Sequence, residues 1–428
     1  MTVQKGWLSA YFRGVAVKRL AAVDASRASN QHEVTGSEPL LRILGDSDRT
    51  FPRGGCDSRF PASYIWLGGE GEALTEDGEL SWYNARRRVT TRRAEWRLYY
   101  QANAVTGLMQ PGDSLFIAVR PEGQLLFIVT PEGTTAESQL LWLFGLGGQP
   151  RLEFEPKTFG PADDTELDFA SRFILDEIGI DAEEPDAERF DELLEPFGLV
   201  FPRTAVFSEL ARTSVTGVSA IEEPDRTLMA WMEREELLFR RLERRIVGHR
   251  IATGFRSGDG EDVDGFLSFS LSVQNRRKSR VGHALEHHLA AVLQAHDLRF
   301  ARGAETENRN KPDFLFPSVA AYRDPAFPIE GLTVLGAKST LKDRWRQVLS
   351  EASRIPDKHL LTLEPGISVN QTAEMSAKRL KLVIPRPIHA TYRTDQRESL
   401  MDLADFITVA RDRQLLGEGD NRRGPQSS

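Results

Sequence analysis

Two residues in the C-terminal half of the sequence have the side chains that phosphodiester chemistry needs. Asp313 follows Pro312 and opens the apolar run FLF, and Lys338 ends the later apolar run LTVLGA. If the two runs are neighbouring strands, a carboxylate that can hold Mg²⁺ meets an ammonium group that can steady a water or a phosphate oxygen. An ordinary salt bridge explains the same pair, so the pair alone does not decide between the two interpretations.

A metal site of this kind needs a further acid. The residue two positions before Lys338, where such sites usually carry one, is Gly336. Glu351 lies on the segment predicted as the next helix, and Glu286 lies on a predicted helix before the first strand. One or two carboxylates and the substrate phosphate are what a Mg²⁺ site usually takes as ligands. Asp313 and Glu351 are therefore the candidate ligands of a Mg²⁺ site, and a structural salt bridge between Asp313 and Lys338 stays open as the alternative.

A zinc site overlaps this constellation. The stretch from His283 to His287 matches HxxEH, in which two histidines one turn apart flank a glutamate that can act as general base. The same helix also carries His288 and His296, and a half-solvated surface explains a histidine-rich helix equally well. A zinc peptidase is therefore kept as an alternative.

Composition limits the class of protein. The 428 residues are 40% hydrophobic and 28% charged, which is typical of a soluble chain with two domains. The single cysteine, Cys56, excludes an internal disulfide framework and fits a reducing compartment. We find no signal peptide and no apolar run long enough for a membrane span, so we predict a cytoplasmic protein without membrane association.

Charge is distributed unevenly along the chain. The net charge is −8, but much of the acid lies in residues 162–196. Two compact basic runs, at 85–97 and 275–280, stand apart from that segment, so DNA is not excluded as a partner. The second run is predicted to clamp DNA phosphates through Arg276, Arg277, Lys278 and Arg280.

The elements fall into two groups along the chain. From about 60 to 155, short alternating runs and the hairpin SLFIAVRPEGQLLFIV predict an all-β module, a barrel. After residue 200, helices are predicted over 227–251 and 281–298. Five strands follow, with a helix at 341–355 between the third and fourth, which makes those two strands parallel. We predict a β module at 1–155, an acidic linker at 156–200, an α/β domain at 201–415 and a disordered tail at 416–428.

Three stretches resemble one known family. SVQNRRKSRVGHALEHHL, NKPDFLFPSVAAYRD and LGAKSTLKDRWRQVLSEAS strongly resemble, in order and with compatible spacing, the catalytic domain of EcoRII-type (Type IIE) restriction endonucleases. VKRLAAVDASRASNQHEVTG and YNARRRVTTRRAEWR resemble the effector-DNA domain of that family more weakly. The resemblance implies a C-terminal PD-(D/E)xK endonuclease fold and an N-terminal β pseudobarrel like certain plant transcription-factor DNA-binding domains.

The resemblance also implies site residues. Asp313, Lys338 and Glu351 would form the cleavage centre, with Glu286 as an auxiliary acid. Tyr322 lies where the family has a tyrosine near the catalytic strands, and we place it with the DNA-recognition residues while leaving its role open. The C·G pairs of a CC…GG core would be recognised by Lys342, Asp343 and Arg344, and effector DNA by His32, Arg86, Arg92, Glu95 and Arg97.

The hypothesis is a Mg²⁺-dependent, site-specific endonuclease for double-stranded DNA, acting in restriction–modification and phage defence. Cutting both strands of a near-palindromic site requires two active sites, so a homodimer is expected. The N-terminal module would gate cleavage allosterically by binding effector DNA, and a cognate DNA methyltransferase would protect the same site. A non-cleaving DNA-binding regulator and a modification-dependent endonuclease with a changed target remain as alternatives.

Overall fold

The computed structural model describes residues 6–25, 32–36, 38–45, 57–68, 73–86, 91–160, 164–182, 187–257 and 260–421. Cys56 and residues 422–428 lie outside these ranges. The chain divides into two compact units, Met1–Glu183 with Pro365–Gln371, and Glu184–Glu364 with Thr372–Ser428. No helix in the described ranges combines the length and the apolar character needed to cross a membrane.

Eight strands of the first unit form one mixed sheet in the order β2-β5-β4-β3-β7-β6-β1-β8. Neighbouring strands are antiparallel, except that β3 and β7 run parallel. The predicted hairpin is present as β6 and β7, and its turn places Gly123 at a φ of +93°. The elements are β1 (Gly14–Arg19), α1 (Ala22–Ala25), β2 (Glu33–Thr35), α2 (Glu38–Leu44), β3 (Asp57–Trp66), β4 (Leu74–Asn84), β5 (Trp96–Tyr100), β6 (Ser114–Val119), β7 (Leu125–Thr130), α3 (Thr135–Leu143), β8 (Glu155–Thr158) and α4 (Phe169–Glu177).

The central strands of this sheet bury both faces. Leu115 and Ile117 of β6 belong to one apolar core, while Phe116 and Ala118 belong to a second core that also contains residues of α3 and α4. Because neither face is solvated there, SLFIAV is a continuous apolar run rather than an alternating one. In the described ranges β2 and β8 are the edges of an open sheet. A pseudobarrel therefore stays a prediction.

The acidic segment at 162–196 contributes to the two units in turn. Ile174 and Leu175 of α4 pack in the second core of the first unit. Further along, Phe190 and Leu194 pack in a cluster with Phe207 and Leu238 of the second unit. Each end of the acidic segment is thus folded into the unit on its own side.

The second unit contains a five-stranded sheet in the order β11-β12-β13-β14-β15. β12 and β13 are antiparallel, and β13, β14 and β15 are parallel. The predicted parallel crossover from β13 through α10 to β14 is confirmed. The elements are α5 (Asp191–Leu194), α6 (Thr204–Ser214), α7 (Pro224–Thr253), β9 (Arg256–Ser257), β10 (Gly260–Glu261), α8 (Val263–Ala295), β11 (Ala301–Arg302), β12 (Phe314–Phe316), α9 (Val319–Arg323), β13 (Thr333–Lys338), α10 (Trp345–Ser350), β14 (Lys358–Thr362), α11 (Val369–Ala377), β15 (Leu380–Val383), α12 (Thr394–Arg397) and α13 (Leu403–Asn421).

Two of these elements correct the predicted boundaries. α8 begins at Val263, where the side chain of Asp262 accepts the N–H of Gly265, and not near residue 281. The basic run 275–280 is therefore inside this helix instead of at its start. α13 continues to Asn421, into the segment predicted to be disordered.

Both faces of the second sheet are covered. Leu315 and Val334 face a cluster that includes Tyr322 and Ile355. On the other face, the ring of Phe316 lies 5.7 Å from that of Phe406 in α13. The covered faces leave the ends of the strands as the place where polar side chains meet solvent.

Candidate active site

The antiparallel pairing of β12 and β13 brings Asp313 to Lys338. Phe314 pairs with Leu335, so the residue before β12 lies beside the last residues of β13. Oδ2 of Asp313 accepts the N–H of Ala337 at 2.7 Å and a hydrogen bond from Nζ of Lys338 at 2.9 Å. The two strand ends meet as the sequence predicts, and the two side chains are 14% and 19% exposed, within reach of a substrate.

Glu351 reaches this site from a different position than the sequence predicts. The predicted helix over 341–355 is wrong in its extent, because α10 ends at Ser350 and Glu351 has extended backbone angles (φ −78°, ψ 147°). The next residue, Ala352, has a φ of +46°, a left-handed conformation that cannot continue an α-helix. Glu351 is therefore the first residue of a turn between α10 and β14.

The surroundings of the Glu351 carboxyl group disfavour its negatively charged form. The side chain is 8% exposed, and Oε2 has no hydrogen-bond partner among the described residues. Burial and the charge of Asp313 raise the pKa of Glu351 to about 7, against the opposing effect of Lys338 and Lys358. A buried carboxylate oxygen without a partner costs free energy, and a cation shared with Asp313 would remove that cost.

These two carboxylates fit a Mg²⁺ site. Among the residues that the structure describes, no three His, Cys, Asp or Glu side chains are grouped as a metal site. Mg²⁺ needs only one or two protein carboxylates, because water and substrate phosphate supply its other ligands. Asp313 and Glu351 would hold the ion, and Lys338 lies beside them.

Packing explains why the usual acid before the lysine is absent. A Cβ atom at Gly336 would lie 2.9 Å from Cγ2 of Val348 in α10 and 3.3 Å from Cδ1 of Leu360 in β14. The close approach of α10 to β13 leaves no room for a carboxylate there. The second acid must come from another element, and Glu351 is placed to supply it.

Glu286 and His287 of the HxxEH stretch contact protein side chains. Arg302 of β11 donates to Oε2 of Glu286 at 2.9 Å, and its guanidinium lies 3.5 Å from Nδ1 of His287. Nε2 of His287 lies 3.4 Å from the Thr204 hydroxyl, and burial lowers the pKa of this histidine. An arginine that contacts both the glutamate and a histidine disfavours a cation there, so the geometry does not favour the zinc alternative.

The predicted DNA-recognition residues lie on the loop that links β13 to α10. Lys342–Arg344 form a 3₁₀ turn in which Lys342 has a φ of +36°, and the Arg344 side chain is exposed. The Glu364 carboxylate, just after β14, accepts the N–H of Leu341 and ties this loop to the sheet. The side chain of Asp343 is outside the described part of the chain.

Tyr322 is placed differently from a base-reading residue. It is 4% exposed, and its hydroxyl donates to Oε1 and Oε2 of Glu307 at 2.7 and 2.6 Å. Burial, together with the hydrogen bond to Glu307, raises the pKa of Tyr322 to about 12. Although burial acts to raise it, the pKa of Glu307 lies below its ordinary value because Tyr322 and backbone N–H groups donate to its carboxylate.

Three residues that the sequence did not single out support this site. Glu307 binds Tyr322, Glu364 binds the loop at Leu341, and Lys358 is a buried lysine at the start of β14. Burial lowers the pKa of Lys358, with Glu351 and Glu307 acting against it. None of the three has a spacing in the sequence that would have revealed its partner.

The basic run in α8 divides into two faces. Arg280 is 5% exposed, binds Glu236 and lies 3.7 Å from Glu235. Nε of Arg277 donates to Glu243 at 2.7 Å. Arg280 is thus buried and paired between α7 and α8, an arrangement that does not favour the predicted contact with a DNA backbone.

The other two basic residues of the run face solvent. Arg276 and Lys278 are both exposed, and the Arg276 guanidinium lies 4.3 Å from the centroid of the Phe201 ring. Their exposure leaves them accessible to an anionic partner.

Three of the five predicted effector-DNA residues form an ion-pair cluster in the first unit. Arg97 binds Glu33 and donates to Glu95 at 2.7 Å, and Arg86 binds the other oxygen of Glu95. The hydrogen bond from Arg97 holds the pKa of Glu95 below its ordinary value. Glu95 therefore aligns two arginines and does not itself offer a charge that suits DNA.

The remaining two predicted residues are His32 and Arg92. The His32 ring packs at 5.6 Å, edge on, against that of Tyr100, and His32 has a φ of +43°. Arg92 is exposed. Residues 87–90 of the same basic run lie outside the described ranges.

Comparison with known proteins connects the C-terminal part of the chain to one family. Residues 239–407 match the family described as EcoRII C terminal. The Type II restriction enzyme EcoRII of Escherichia coli is 45% identical over 186 residues. That match covers 43% of this chain and 45% of the relative, so the chain spans less than half of that relative's length. Asp313, Lys338 and Glu351 lie inside the matched residues.

Solved structures show more distant likenesses. Metal-depleted Ecl18kI in complex with uncleaved, modified DNA has a TM-score of 0.43 at 15% identity, and covers 56% of this chain and 86% of its own. The PspGI–substrate DNA complex, also a restriction endonuclease, has a TM-score of 0.40 at 14% identity, and covers 50% and 94%. Structural similarities with TM-scores this low carry no argument about the candidate active site.

Proposed function

We propose that the protein is a site-specific endonuclease for double-stranded DNA, because its residues 239–407 match the EcoRII C-terminal family and part of the chain resembles the Type II restriction enzyme EcoRII. The observation that supports it best is the hydrogen bond between Asp313 and Lys338, together with a buried Glu351 oxygen that has no hydrogen-bond partner among the described residues. This arrangement has the charges that hydrolysis of a phosphodiester needs. We propose Mg²⁺ as the divalent ion.

Each side chain has a distinct task in this proposal. Asp313 and Glu351 would hold Mg²⁺, which supplies a Lewis acid that polarises the phosphate and activates water. Lys338 would donate to a phosphate oxygen and stabilise the negative charge that develops in the transition state. Asp313 keeps Lys338 in place through their hydrogen bond. Glu286, paired with Arg302, would act at most as an auxiliary acid.

Sequence recognition would come from the loop between β13 and α10. Lys342 and Arg344 can donate to guanine O6 and N7, and Asp343 can accept from a cytosine amino group. This loop starts directly after Lys338 and leads through α10 to Glu351. We propose that the target contains a CC…GG core, which these three residue types suit.

Cleavage of plasmid DNA tests the proposal. Wild-type protein with Mg²⁺ should linearise plasmid, and chelation should stop it. Asp313→Asn and Lys338→Met should each slow cleavage by a factor on the order of 10³, since each removes a charge that acts in the transition state. Lys381→Met, an exposed lysine on β15, serves as the matched control.

The outcomes separate the alternatives. A wild-type protein that binds DNA but nicks no sequence would be the non-cleaving regulator. Cleavage of methylated DNA alone would identify a modification-dependent endonuclease, whereas cleavage blocked by methylation would point to a cognate methyltransferase as partner.

We propose a homodimer, since cutting both strands of a near-palindromic site takes two centres. The first half of α8 exposes an apolar stripe spaced by four residues, Val263, Leu267 and Leu271, at 62%, 52% and 59% exposure. A stripe of this kind suits a second copy of the chain, because the same residues meet across a two-fold axis. Leu267→Glu should yield monomers in analytical ultracentrifugation if this face forms the dimer.

The first unit would bind a second copy of the DNA site and gate cleavage. The support is the cluster of Arg86 and Arg97 around Glu95, with Arg92 exposed nearby. The fold proposed for this unit is a pseudobarrel, and the open eight-stranded sheet supports the all-β part of that proposal. Adding short target duplexes in trans should raise the cleavage rate of a single-site plasmid, and Arg92→Ala with Arg97→Ala should reduce that stimulation.

A further inference from the structure

We propose that Lys358 is a positioning residue for Glu351. Its ammonium group donates to three backbone carbonyls of one turn, those of Glu351, Ala352 (3.1 Å) and Ile355 (3.0 Å). An ammonium group has three donors, so this turn takes all of them. Lys358 thus acts through the backbone that carries Glu351. This inference rests on the cleavage centre proposed above.

The turn needs such a constraint. Ala352 has a φ of +46°, a conformation that costs an L-residue about 1–2 kcal/mol compared with ordinary backbone. Its side chain is fully buried, and Lys358 is 6% exposed, so solvent does not compete for these carbonyls. A charged donor to a buried carbonyl makes a stronger hydrogen bond than a neutral one. The three bonds therefore stabilise a turn that the local sequence does not favour.

The same turn is held from its outer side. The N–H of Ser353 donates to Glu307 and that of Arg354 to the Tyr322 hydroxyl, each at 3.3 Å. Asn310 donates to the carbonyl of Ser350 at 2.8 Å. Among these contacts, that of Lys358 is made to the Glu351 residue itself. Lys358 consequently has the most direct influence on where the Glu351 carboxylate lies.

The position of that carboxylate decides whether the two acids act as a pair. Asp313 is fixed by hydrogen bonds to Ala337 and Lys338, whereas Oε2 of the buried Glu351 carboxylate has no hydrogen-bond partner among the described residues and depends on its backbone for its position. A turn without Lys358 would release Ala352 from its left-handed conformation, and this change of the backbone would move the Glu351 carboxylate away from Asp313. Metal binding would weaken, while Asp313 and Lys338 would stay in place.

Binding of Mn²⁺ to the full-length protein without DNA, followed by electron paramagnetic resonance, tests this directly. Wild type should bind Mn²⁺, and Asp313→Asn should abolish that binding. Lys358→Met should weaken it by about tenfold, a typical effect of residues that orient metal ligands. Lys358→Gln, which keeps two N–H donors, should give a smaller defect, and Lys381→Met none. Amide hydrogen exchange should rise in residues 351–355 of Lys358→Met and stay unchanged in β13.

The results distinguish failure of the inference from failure of the proposed function. If the wild type binds no Mn²⁺, or if Asp313→Asn binds as much as the wild type, the proposed metal centre is wrong. The inference about Lys358 is then wrong as well. If that centre is present but both Lys358 variants bind Mn²⁺ as wild type does, the inference alone is overturned. Should Lys358→Met fail to fold, Lys358→Gln decides the question. Exchange that rises throughout the unit would mean a general stabilising role and would also overturn it.

Discussion

The hydroxyl of Tyr322 donates to both carboxylate oxygens of Glu307, at 2.7 and 2.6 Å, and accepts the N–H of Arg354. This tyrosine is therefore fully engaged inside the second unit, where it supports the turn after Glu351. These partners favour a structural role for Tyr322. Its part in DNA recognition stays a prediction, which the Tyr322→Phe variant tests.

Tyr322→Phe should lower the free energy of unfolding by about 1–2 kcal/mol, because Glu307 loses a donor in a partly buried place. Urea unfolding followed by tryptophan fluorescence measures this change. The set of DNA sequences that the variant cleaves should match that of wild type. A changed set would restore Tyr322 as a recognition residue.

Glu351 should make the metal-free protein less stable as pH rises. Its pKa is about 7 in the folded protein against 4.5 in the unfolded chain, so the folded state binds more protons between these values. The stability is fully present below pH 4.5 and is lost as pH rises through 7, by up to about 3 kcal/mol.

Glu351→Gln isolates this effect, since glutamine does not titrate. With chelator present, wild type should lose about 3 kcal/mol relative to Glu351→Gln between pH 4 and pH 8. Parallel curves for the two proteins would show that Glu351 titrates normally. The comparison also cancels contributions from other groups, such as the buried His359.

The sequence predicted the core of the site because strand identity and pairing follow from local pattern. FLF and LTVLGA are short apolar runs, and Asp313 and Lys338 mark their ends. The parallel crossover followed from the helix between β13 and β14. Those features bring Asp313 and Lys338 together independently of how the rest of the domain packs.

The parts that could not be predicted depend on tertiary contacts. Nothing local ends a helix at Ser350, because alanine is a good helix former and Ala352 is held in its unusual conformation by Lys358. The first half of α8 contains the run LSFSLSV at 267–273, in which apolar residues alternate with serine as they do in a strand, so this stretch carried no clear helical signal. In the sequence Arg280 does not differ from its basic neighbours. Only the packing of α7, which brings Glu236 to Arg280, distinguishes it from them.

Arg280 and Lys278 should behave differently although they are two residues apart. Arg280→Met should cost on the order of 3–5 kcal/mol, because Glu235 and Glu236 lose a buried partner. Lys278→Met changes an exposed side chain and should have little effect on unfolding. Thermal or urea unfolding of the two variants measures the contrast. Equal losses would contradict the division of this helix into a structural and a solvent face.

Lys278 should matter for DNA binding, although its substitution should have little effect on unfolding. If Lys278 contacts a phosphate, Lys278→Met should weaken binding to all sequences alike. The slope of log affinity against log salt concentration should fall by about 1. Titrations at several salt concentrations, with chelator to prevent cleavage, give that slope. An unchanged slope would remove Lys278 from the proposed DNA contacts.

Lys342 and Arg344 should determine which sequences are cut, not whether cutting occurs. Both lie on the loop tied down by Glu364, one turn before α10, and Lys338 and Glu351 stand at the two ends of that stretch. Lys342→Ala and Arg344→Ala should each relax preference at one base pair by about 1–3 kcal/mol. Arg346→Ala, an exposed arginine on α10 that pairs with Glu374, is the matched control. Sequencing the ends of cleaved genomic DNA gives the preference at each position. Loss of cleavage at every sequence, with preference unchanged among the residual cuts, would mean instead that these side chains only position Lys338 and Glu351.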